Sequence, residues 1–311
     1  MENNIDVLAL TISILAAAIQ YGTPILYGTL GAIVMERSGV SNLGVEGMMM
    51  MGAFAGFIGM HSTGSAMFGL ACGAFAGVLM CVIHGLVCLV FQGSQVVSGL
   101  ALTIFGVGLA NFLGTPYIGQ ITTGFTPFEV PLLSGIPVIG AIFFRQDALV
   151  YFSYLLPFLL WFMLMRTRYG LAIRAVGENP SAVRSAGLSP HFLRWSAILL
   201  GGLIVGLGGA YLSLCSVHIW TDNLSAGRGW IAVALVIFAF WRPGRAVMGA
   251  WLFGCIVTFS YRMQALGVSV PSSLLDMMPY ILTLVALFIS SVMGWGRAAP
   301  AALTVNLEPE E

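Results

Sequence analysis

Two apolar runs limit the folds open to this chain more than any other feature. They cover residues 64–91 and 195–217, and neither contains Asp, Glu, Lys or Arg. Each is long enough for a transmembrane helix, which needs about 20 apolar residues to cross about 30 Å of hydrocarbon. Both runs are apolar on every face, whereas the strands of a membrane β-barrel alternate apolar and polar residues. With a mean hydropathy of +0.96, the chain is predicted to be a polytopic helical membrane protein.

Further apolar segments extend this prediction along the chain. Two of them, 24–35 and 230–241, contain only about 12 residues, which is too short for a full crossing and typical of interrupted helices inside a bundle. The predicted fold is all-α, a transmembrane helix bundle of about eight to ten spans with some short or interrupted helices. The candidate segments are 6–22, 24–35, 45–60, 64–91, 96–114, 148–165, 193–217, 230–241, 246–263 and 277–294.

The placement of arginine predicts the orientation of the bundle. All 12 basic residues are Arg, and five of them lie in the loop 166–194. Because short loops rich in Arg stay in the cytoplasm, this loop is predicted to be cytoplasmic and the segment 115–146 to lie outside. Ten spans would then place both termini in the cytoplasm. The predicted organisation is a transmembrane domain at 1–297, with the cytoplasmic loop 166–194, and a cytoplasmic C-terminal tail at 298–311.

The loop 166–194 carries its own signals for local structure. Asn179 followed by Pro180 is typical of a helix N-cap with proline at the first helical position. Gly187 supplies a left-handed helix stop, and Ser189 with Pro190 repeats the cap signal. These signals predict a compact helix about 10 Å long. The alternative is an ordinary connector whose arginines only fix topology, although a mere connector needs only a few residues.

Two passages resemble a known family. Residues 174–195, RAVGENPSAVRSAGLSPHFLRW, are similar to the cytoplasmic coupling loop of permease subunits of ATP-binding-cassette (ABC) importers. In those subunits a short helix docks into the ATPase. Residues 36–57, ERSGVSNLGVEGMMMMGAFAGF, resemble the signature region of one branch, the permeases for nucleosides and simple sugars. That branch is related to the permeases for ribose and branched-chain amino acids.

The resemblance implies partners and roles that composition does not show. It implies a multi-pass protein of the bacterial inner membrane that works with a cytoplasmic ABC ATPase, often a fused double cassette. It also implies a second permease subunit and an extracytoplasmic solute-binding protein. The chain itself has no Lys and so no Walker A phosphate loop, which agrees with a transport subunit that is not an enzyme. The residues that the resemblance assigns to ATPase coupling are Arg174, Gly177, Glu178, Asn179, Pro180, Ala186 and Gly187.

Polar residues within apolar segments are candidates for a translocation path, because polar groups in lipid usually face the interior of a bundle. Glu46 and Asn42 are predicted to shape an interrupted helix near the path; the alternative is that Glu46 is an interfacial carboxylate at a helix N-terminus. Gln95, Ser98 and Asn111 interrupt the segment 92–111. Their alternatives are hydrogen bonds to their own helix or between helices. Amides and hydroxyls suit a nucleoside or a sugar, and the signature passage favours a nucleoside.

Other functional classes have less support. A stand-alone secondary transporter would use intramembrane acids as ion relays, and Glu46 is the candidate for that role. An intramembrane enzyme would need a nucleophile with its base, or an HExxH motif, and neither is found. The five Cys and four His lack the spacing of metal ligands, so no metal and no cofactor are expected. The 12 acidic residues balance the 12 basic ones, so nothing indicates nucleic acid, and the predicted surroundings are membrane lipid.

Overall fold

The computed structural model of the protein describes residues 7–265, 271–292 and 299–306. Most of this is helix, with irregular segments between the helices and two short strands, β1 (Phe128–Glu129) and β2 (Arg145–Gln146), which pair antiparallel. The helices are α1 (Val7–Arg37), α2 (Val45–Thr63), α3 (Ala66–Gly85), α4 (Gln95–Gly114), α5 (Ile139–Phe143), α6 (Ala148–Arg166), α7 (Arg168–Glu178), α8 (Pro180–Ser185), α9 (Pro190–Tyr211), α10 (Arg228–Phe238), α11 (Pro243–Ala265) and α12 (Ser272–Val292).

The predicted class, a polytopic helical membrane protein, is confirmed. Within the described residues, six helical stretches are long and apolar enough to cross a membrane. Five of them are formed by α1, α4, α6, α9 and α11, and the sixth is α3 with the π-helical turn that follows it. The helices α2, α10 and α12 also pack within the bundle. The short segment predicted at 230–241 corresponds to α10, which has 11 residues and is therefore only about 16 Å long.

The other short segment, 24–35, is not a separate element. It forms one continuous helix with 6–22, because Pro24 lies inside α1, which runs unbroken for 31 residues. Proline removes one backbone donor but is tolerated within membrane helices, where neighbouring groups satisfy the freed carbonyl. The ten predicted segments thus become nine, and the break expected between 6–22 and 24–35 is absent from α1.

The single helix α1 also bears on the predicted side of the N-terminal region. Early in α1, Gln20 Nε2 donates to Gln146 Oε1 at 2.8 Å, beside the outer segment 115–146. At its other end, Arg37 reaches the backbone near the Arg-rich side, donating to Trp241 O at 3.0 Å. The first described turns of α1 therefore lie on the side of the bundle opposite Arg37. The prediction that both termini are cytoplasmic rested on ten spans, of which α1 supplies one where two were counted.

The centre of the bundle is built on close backbone contact between α2, α3 and α9. A Cβ added to Gly52 would lie 2.6 Å from the carbonyl oxygen of Gly206, and one added to Gly206 would meet the oxygen of Gly73. Side chains larger than hydrogen do not fit at these positions, so the three helices approach each other closely through glycine. This rigid centre carries α4 and α10 on one flank and α7 at its cytoplasmic end.

Candidate functional site

The first candidate site begins with a segment that returns from the outer face into the bundle. Trp220 N donates to Gln120 O at 3.2 Å at the outer end of α4. Further in, the side chains of Asn111 and Asn223 face each other: Asn111 Nδ2 donates to Asn223 Oδ1, and Asn223 N donates to Asn111 Oδ1, both at 3.1 Å. The helix α10 then starts at Arg228. Residues 220–227 therefore run back along the outer half of α4.

The helix α10 starts deep inside the protein and ends on the side that the arginine placement predicts to be cytoplasmic. Its start lies against Glu46, which is 6% exposed. The neighbouring Gly47 packs on Gly106, near the middle of α4. Just beyond the other end of α10, Trp241 Nε1 donates to Glu36 Oε2 at 2.6 Å. This half-length helix places its N-terminus within the bundle, as in broken transporter helices.

Glu46 caps this buried helix N-terminus. Its Oε1 accepts hydrogen bonds from Ser225 Oγ at 2.5 Å and from Gly227 N at 2.8 Å, while Oε2 accepts from Gly229 N at 2.6 Å. The N-cap residue Gly227 has no side chain to perform this task, so the amide of Gly229 depends on Glu46 for its hydrogen bond. Glu46 also lies in the first turn of α2, so one carboxylate faces the positive ends of two helices.

The side chain of Arg228 stabilises the same turn. Arg228 Nη1 donates to the carbonyl oxygens of Leu224 at 3.1 Å and Ser225 at 3.2 Å. The turn 224–229 is therefore fixed both by the carboxylate of Glu46 and by the side chain of Arg228. This turn therefore fixes the position of the first residues of α10.

A groove of about 510 Å³ opens beside this turn, along the outer half of α4. Its walls are mostly apolar, with polar groups from Glu46, Thr103 and Asn223. The aromatic group in the groove is Trp230, in the first turn of α10, whose side chain is 38% exposed. Such a volume and such a mixture of groups are typical of small-molecule sites. The lining is Glu46, Thr103, Ile104, Val107, Gly108, Asn223, Ala226, Gly227 and Trp230.

Two of the predicted path residues belong to this region. Glu46 lines the groove, and Asn111 holds Asn223, which also lines it. Glu46 is buried and lies at the N-termini of two helices, α2 and α10. Sequence reasoning left Trp230 unassigned, because nothing in the local sequence shows which aromatic ring faces the groove.

The other three predicted path residues lie elsewhere. Asn42 is 1% exposed, and its Oδ1 accepts from Gly44 N at 2.7 Å in the turn before α2. Gln95, at the cytoplasmic start of α4, accepts from Ser41 N at 2.8 Å. Ser98 Oγ lies 3.0 Å from Nδ1 of His84 on α3. The contacts of Gln95 and Ser98 join neighbouring elements, which for Gln95 is the helix-to-helix alternative left open by the sequence.

The second candidate site is the loop 166–194, predicted above to be cytoplasmic, which contains two helices. The helix α7 was not foreseen: Thr167 Oγ1 caps it by accepting from Gly170 N at 3.0 Å, and its buried side carries Gly170, Ile173, Val176 and Gly177. Its start lacks the Pro and Gly signals that mark α8. At the far end, Gly177 packs so closely on Arg37 O that a side chain would collide with this backbone.

The predicted short helix is present as α8, with the predicted caps. Asn179 Oδ1 accepts from Ala182 N at 3.0 Å, and Pro180 is the first helical residue. Gly187 has a φ of +80°, and Leu188 N donates to Val183 O at 3.2 Å, which closes the helix in the manner of a glycine C-cap. Ser189 then caps α9 by accepting from Phe192 N at 3.3 Å.

The predicted coupling residues lie along α7, α8 and the turn that ends α8. Arg174 Nε donates to Leu164 O at 2.9 Å, which ties α7 to the end of α6. In α8 Val183 is the buried anchor, packed with Val176 and Leu193. The rest of the loop from residue 184 to 189 is exposed. The loop thus presents a small exposed helix on a buried support, a shape suited to insertion into a partner protein.

Among the described residues, no group of three or more His, Cys, Asp or Glu side chains is placed to hold a metal ion. The chain is thus a helical membrane protein with a buried half-helix, a side groove and an exposed helix in the loop 166–194. The chain belongs to the family described as "Branched-chain amino acid transport system / permease component", whose profile matches residues 14–287.

Relatives that are similar over most of the chain are permeases of ABC transporters. NupC of Lactococcus lactis, a nucleoside ABC transporter permease, is 34% identical over 94% of this chain and 96% of NupC. NupQ of Bacillus subtilis, a guanosine ABC transporter permease, is 33% identical over 91% of this chain and 93% of NupQ. TsgC13 of Haloferax volcanii, a candidate glucose ABC transporter permease, is 39% identical over 82% of this chain and 79% of TsgC13.

The chain is therefore an ABC transporter permease and a multi-pass protein of the bacterial inner membrane. Its relatives are transport components and not catalysts. Membership of this family implies an ATPase and other subunits as partners. The resemblance seen in residues 36–57 and 174–195 is thus confirmed.

Proposed function

We propose that this chain is the permease subunit of an ATP-driven importer of nucleosides, and that the groove beside α4 and α10 forms its half of the translocation path. The observation that carries the proposal is the groove itself. It contains an aromatic ring, Trp230, next to the polar groups of Thr103 and Asn223. A nucleobase offers a flat face for stacking on an aromatic ring and edges for hydrogen bonds, and the permeases NupC and NupQ are named for nucleoside and guanosine transport.

The groove is open to one side, which fits a path shared between two permeases. Ile104 lies in its wall with 76% of the residue exposed, and Phe112 on the same helix is 75% exposed. A second permease, identical or a sister chain, would cover these side chains and close the path. An extracytoplasmic solute-binding protein would deliver the nucleoside to the outer end, near the segment 115–146.

ATP hydrolysis in the partner ATPase would act on the permease through α7 and α8. In the proposed arrangement the exposed helix α8 docks into a cytoplasmic ABC ATPase, with Gly187 fixing its end and Gly177 fixing its support. Glu46 has a structural role here and not an ion-relay role, since its carboxylate is occupied by three donors. Uptake should therefore depend on ATP and survive dissipation of the proton gradient.

The test is uptake of radiolabelled guanosine, and separately glucose, by proteoliposomes that contain the complete complex and ATP. Trp230→Ala is compared with Trp161→Ala, because both rings are 38% exposed and Trp161 lies on α6, away from the groove. Since stacking of one base on an aromatic ring is worth about 1–3 kcal/mol, we expect guanosine uptake to fall about tenfold for Trp230→Ala. Trp161→Ala should leave uptake unchanged. Equal loss in both variants would contradict the assignment of the groove, and uptake of glucose alone would identify a sugar permease.

A further inference from the structure

The segment Ala299–Asn306, here named the C-terminal strap, lies across the cytoplasmic face of the bundle and contacts three separate elements. It falls within the tail predicted at 298–311, of which residues 298 and 307–311 lie outside the described residues. Ala302 is only 6% exposed, and Ala299 and Leu303 pack against the main hydrophobic core. The strap is thus part of the folded structure.

The first contact of the strap is with the end of α7. Ala302 N donates to Gly177 O at 2.8 Å, and Ala301 N donates to Glu178 Oε2 at 3.2 Å. Both Gly177 and Glu178 belong to the predicted coupling element. The strap therefore holds the junction between α7 and α8, the helix proposed to enter the ATPase.

The second contact is a buried arginine at the start of α9. Arg194 is 0% exposed; its Nη1 donates to Val305 O at 2.9 Å, and its Nε donates to Ser38 O at 3.2 Å. Among the described residues Nη2 has no hydrogen-bond partner. Because burial of a guanidinium is costly unless its donors are satisfied, the carbonyl of Val305 is a necessary partner for Arg194.

The third contact reaches the loop that leads into α4. Asn306 Nδ2 donates to Gln92 O at 2.6 Å, and Gln95 Nε2 lies 3.5 Å from Asn306 Oδ1. Gln95 is the first residue of α4, the helix whose outer half lines the groove. The strap therefore joins the ATPase-facing helices to the groove-lining helix by direct hydrogen bonds.

From these contacts we infer that the C-terminal strap is a mechanical link that transmits movement of α7 and α8 to α4, with Asn306 and Arg194 as positioning residues. The inference rests on the proposed function, since it needs an ATPase on α8 and a path beside α4. Without the strap, the ATPase should still bind and hydrolyse ATP, but fewer solute molecules should cross per ATP.

The test uses the complete complex in proteoliposomes and measures guanosine transported per ATP hydrolysed. Truncation after Thr304 removes Val305 and Asn306, whereas truncation after Asn306 keeps every strap contact described above and serves as the matched control. We expect the first truncation to lower the ratio about fivefold or more, the lower end of ordinary coupling between distant sites. The control should keep the wild-type ratio, and the ATPase should co-purify with both.

Two outcomes would overturn the link: an unchanged ratio after truncation at Thr304, or loss of the bound ATPase. If that truncation does not fold, Asn306→Ala is used instead, because it removes only the contacts to Gln92 and Gln95 at the start of α4. In this variant, amide hydrogen exchange at the start of α4 should become faster, and the amount of guanosine transported per ATP should fall. Faster exchange with an unchanged ratio would show a purely structural role and would also overturn it. Failure of the wild-type complex to bind an ATPase would instead contradict the proposed function.

Discussion

Replacement of Glu46 by glutamine tests whether one carboxylate holds the half-helix α10 in place. The two oxygens of Glu46 accept from Ser225 Oγ, Gly227 N and Gly229 N at 2.5, 2.8 and 2.6 Å. A glutamine offers one oxygen, so its NH₂ group must face at least one of these donors. The substitution removes at least one hydrogen bond as well as the negative charge at the N-terminus of α10.

The expected cost follows from these contacts. A hydrogen bond to a charged group contributes about 1.5–3 kcal/mol to stability. A charge at a helix N-terminus adds about 0.3–2 kcal/mol, with the larger value in buried surroundings. Loss of one such bond and of the charge interaction should destabilise the protein by about 2–5 kcal/mol.

Glu36→Gln is the matched control. Glu36 is also 6% exposed, but its carboxylate accepts one side-chain hydrogen bond, from Trp241 Nε1 at 2.6 Å. Glutamine can keep that bond through its remaining oxygen, so the expected cost is only about 1 kcal/mol, the difference between a charged and a neutral hydrogen bond. Thermal unfolding of the purified proteins in detergent should show a clearly larger loss of Tm for Glu46→Gln. Equal shifts in the two variants would refute the capping role.

Two further pairs of variants separate backbone effects from contacts. Gly187 has a φ of +80° and open space around an added Cβ. Gly187→Val should therefore abolish ATP-driven uptake through the cost of the left-handed backbone, about 1–2 kcal/mol or more, whereas Gly187→Asn should retain uptake. Equal uptake by the two variants would contradict this role of the backbone. A Cβ at Gly106 would lie 2.6 Å from Gly47 O, whereas one at Gly108 meets nothing within 4 Å. Gly106→Ala should therefore lower Tm in detergent and Gly108→Ala should not, and the opposite order would rule out the close packing of α2 on α4.

The features that local sequence determines could be predicted. Long apolar runs identify membrane helices, because hydropathy depends on the residues of the run alone. The ends of α8 could also be predicted, since Asn179 and Gly187 act on amides and carbonyls within a few residues of themselves. Pro24 shows the limit of such signals, because in α1 the surrounding bundle overrides the break that proline indicates.

The features that depend on distant residues could not be predicted. Glu46 was recognised as unusual, but its partners lie 179 to 183 residues further along the chain. Gln95 was proposed as a path residue, whereas its contact with Asn306 spans 211 residues. A single sequence does not show which donor meets which acceptor at such separations, so the groove and the strap become visible only in the folded chain.

Site-specific photo-crosslinking from α8 shows which protein this helix contacts in the membrane. A photoreactive amino acid is placed at Ser185, which is exposed in α8, and as a control at Leu132, which is 94% exposed in the outer segment 115–146. If α8 docks into the motor, irradiation of native membranes should link position 185, and not position 132, to a protein that carries Walker motifs. Absence of this product at position 185 in membranes that still transport would contradict the claim that α7 and α8 couple this permease to an ATPase.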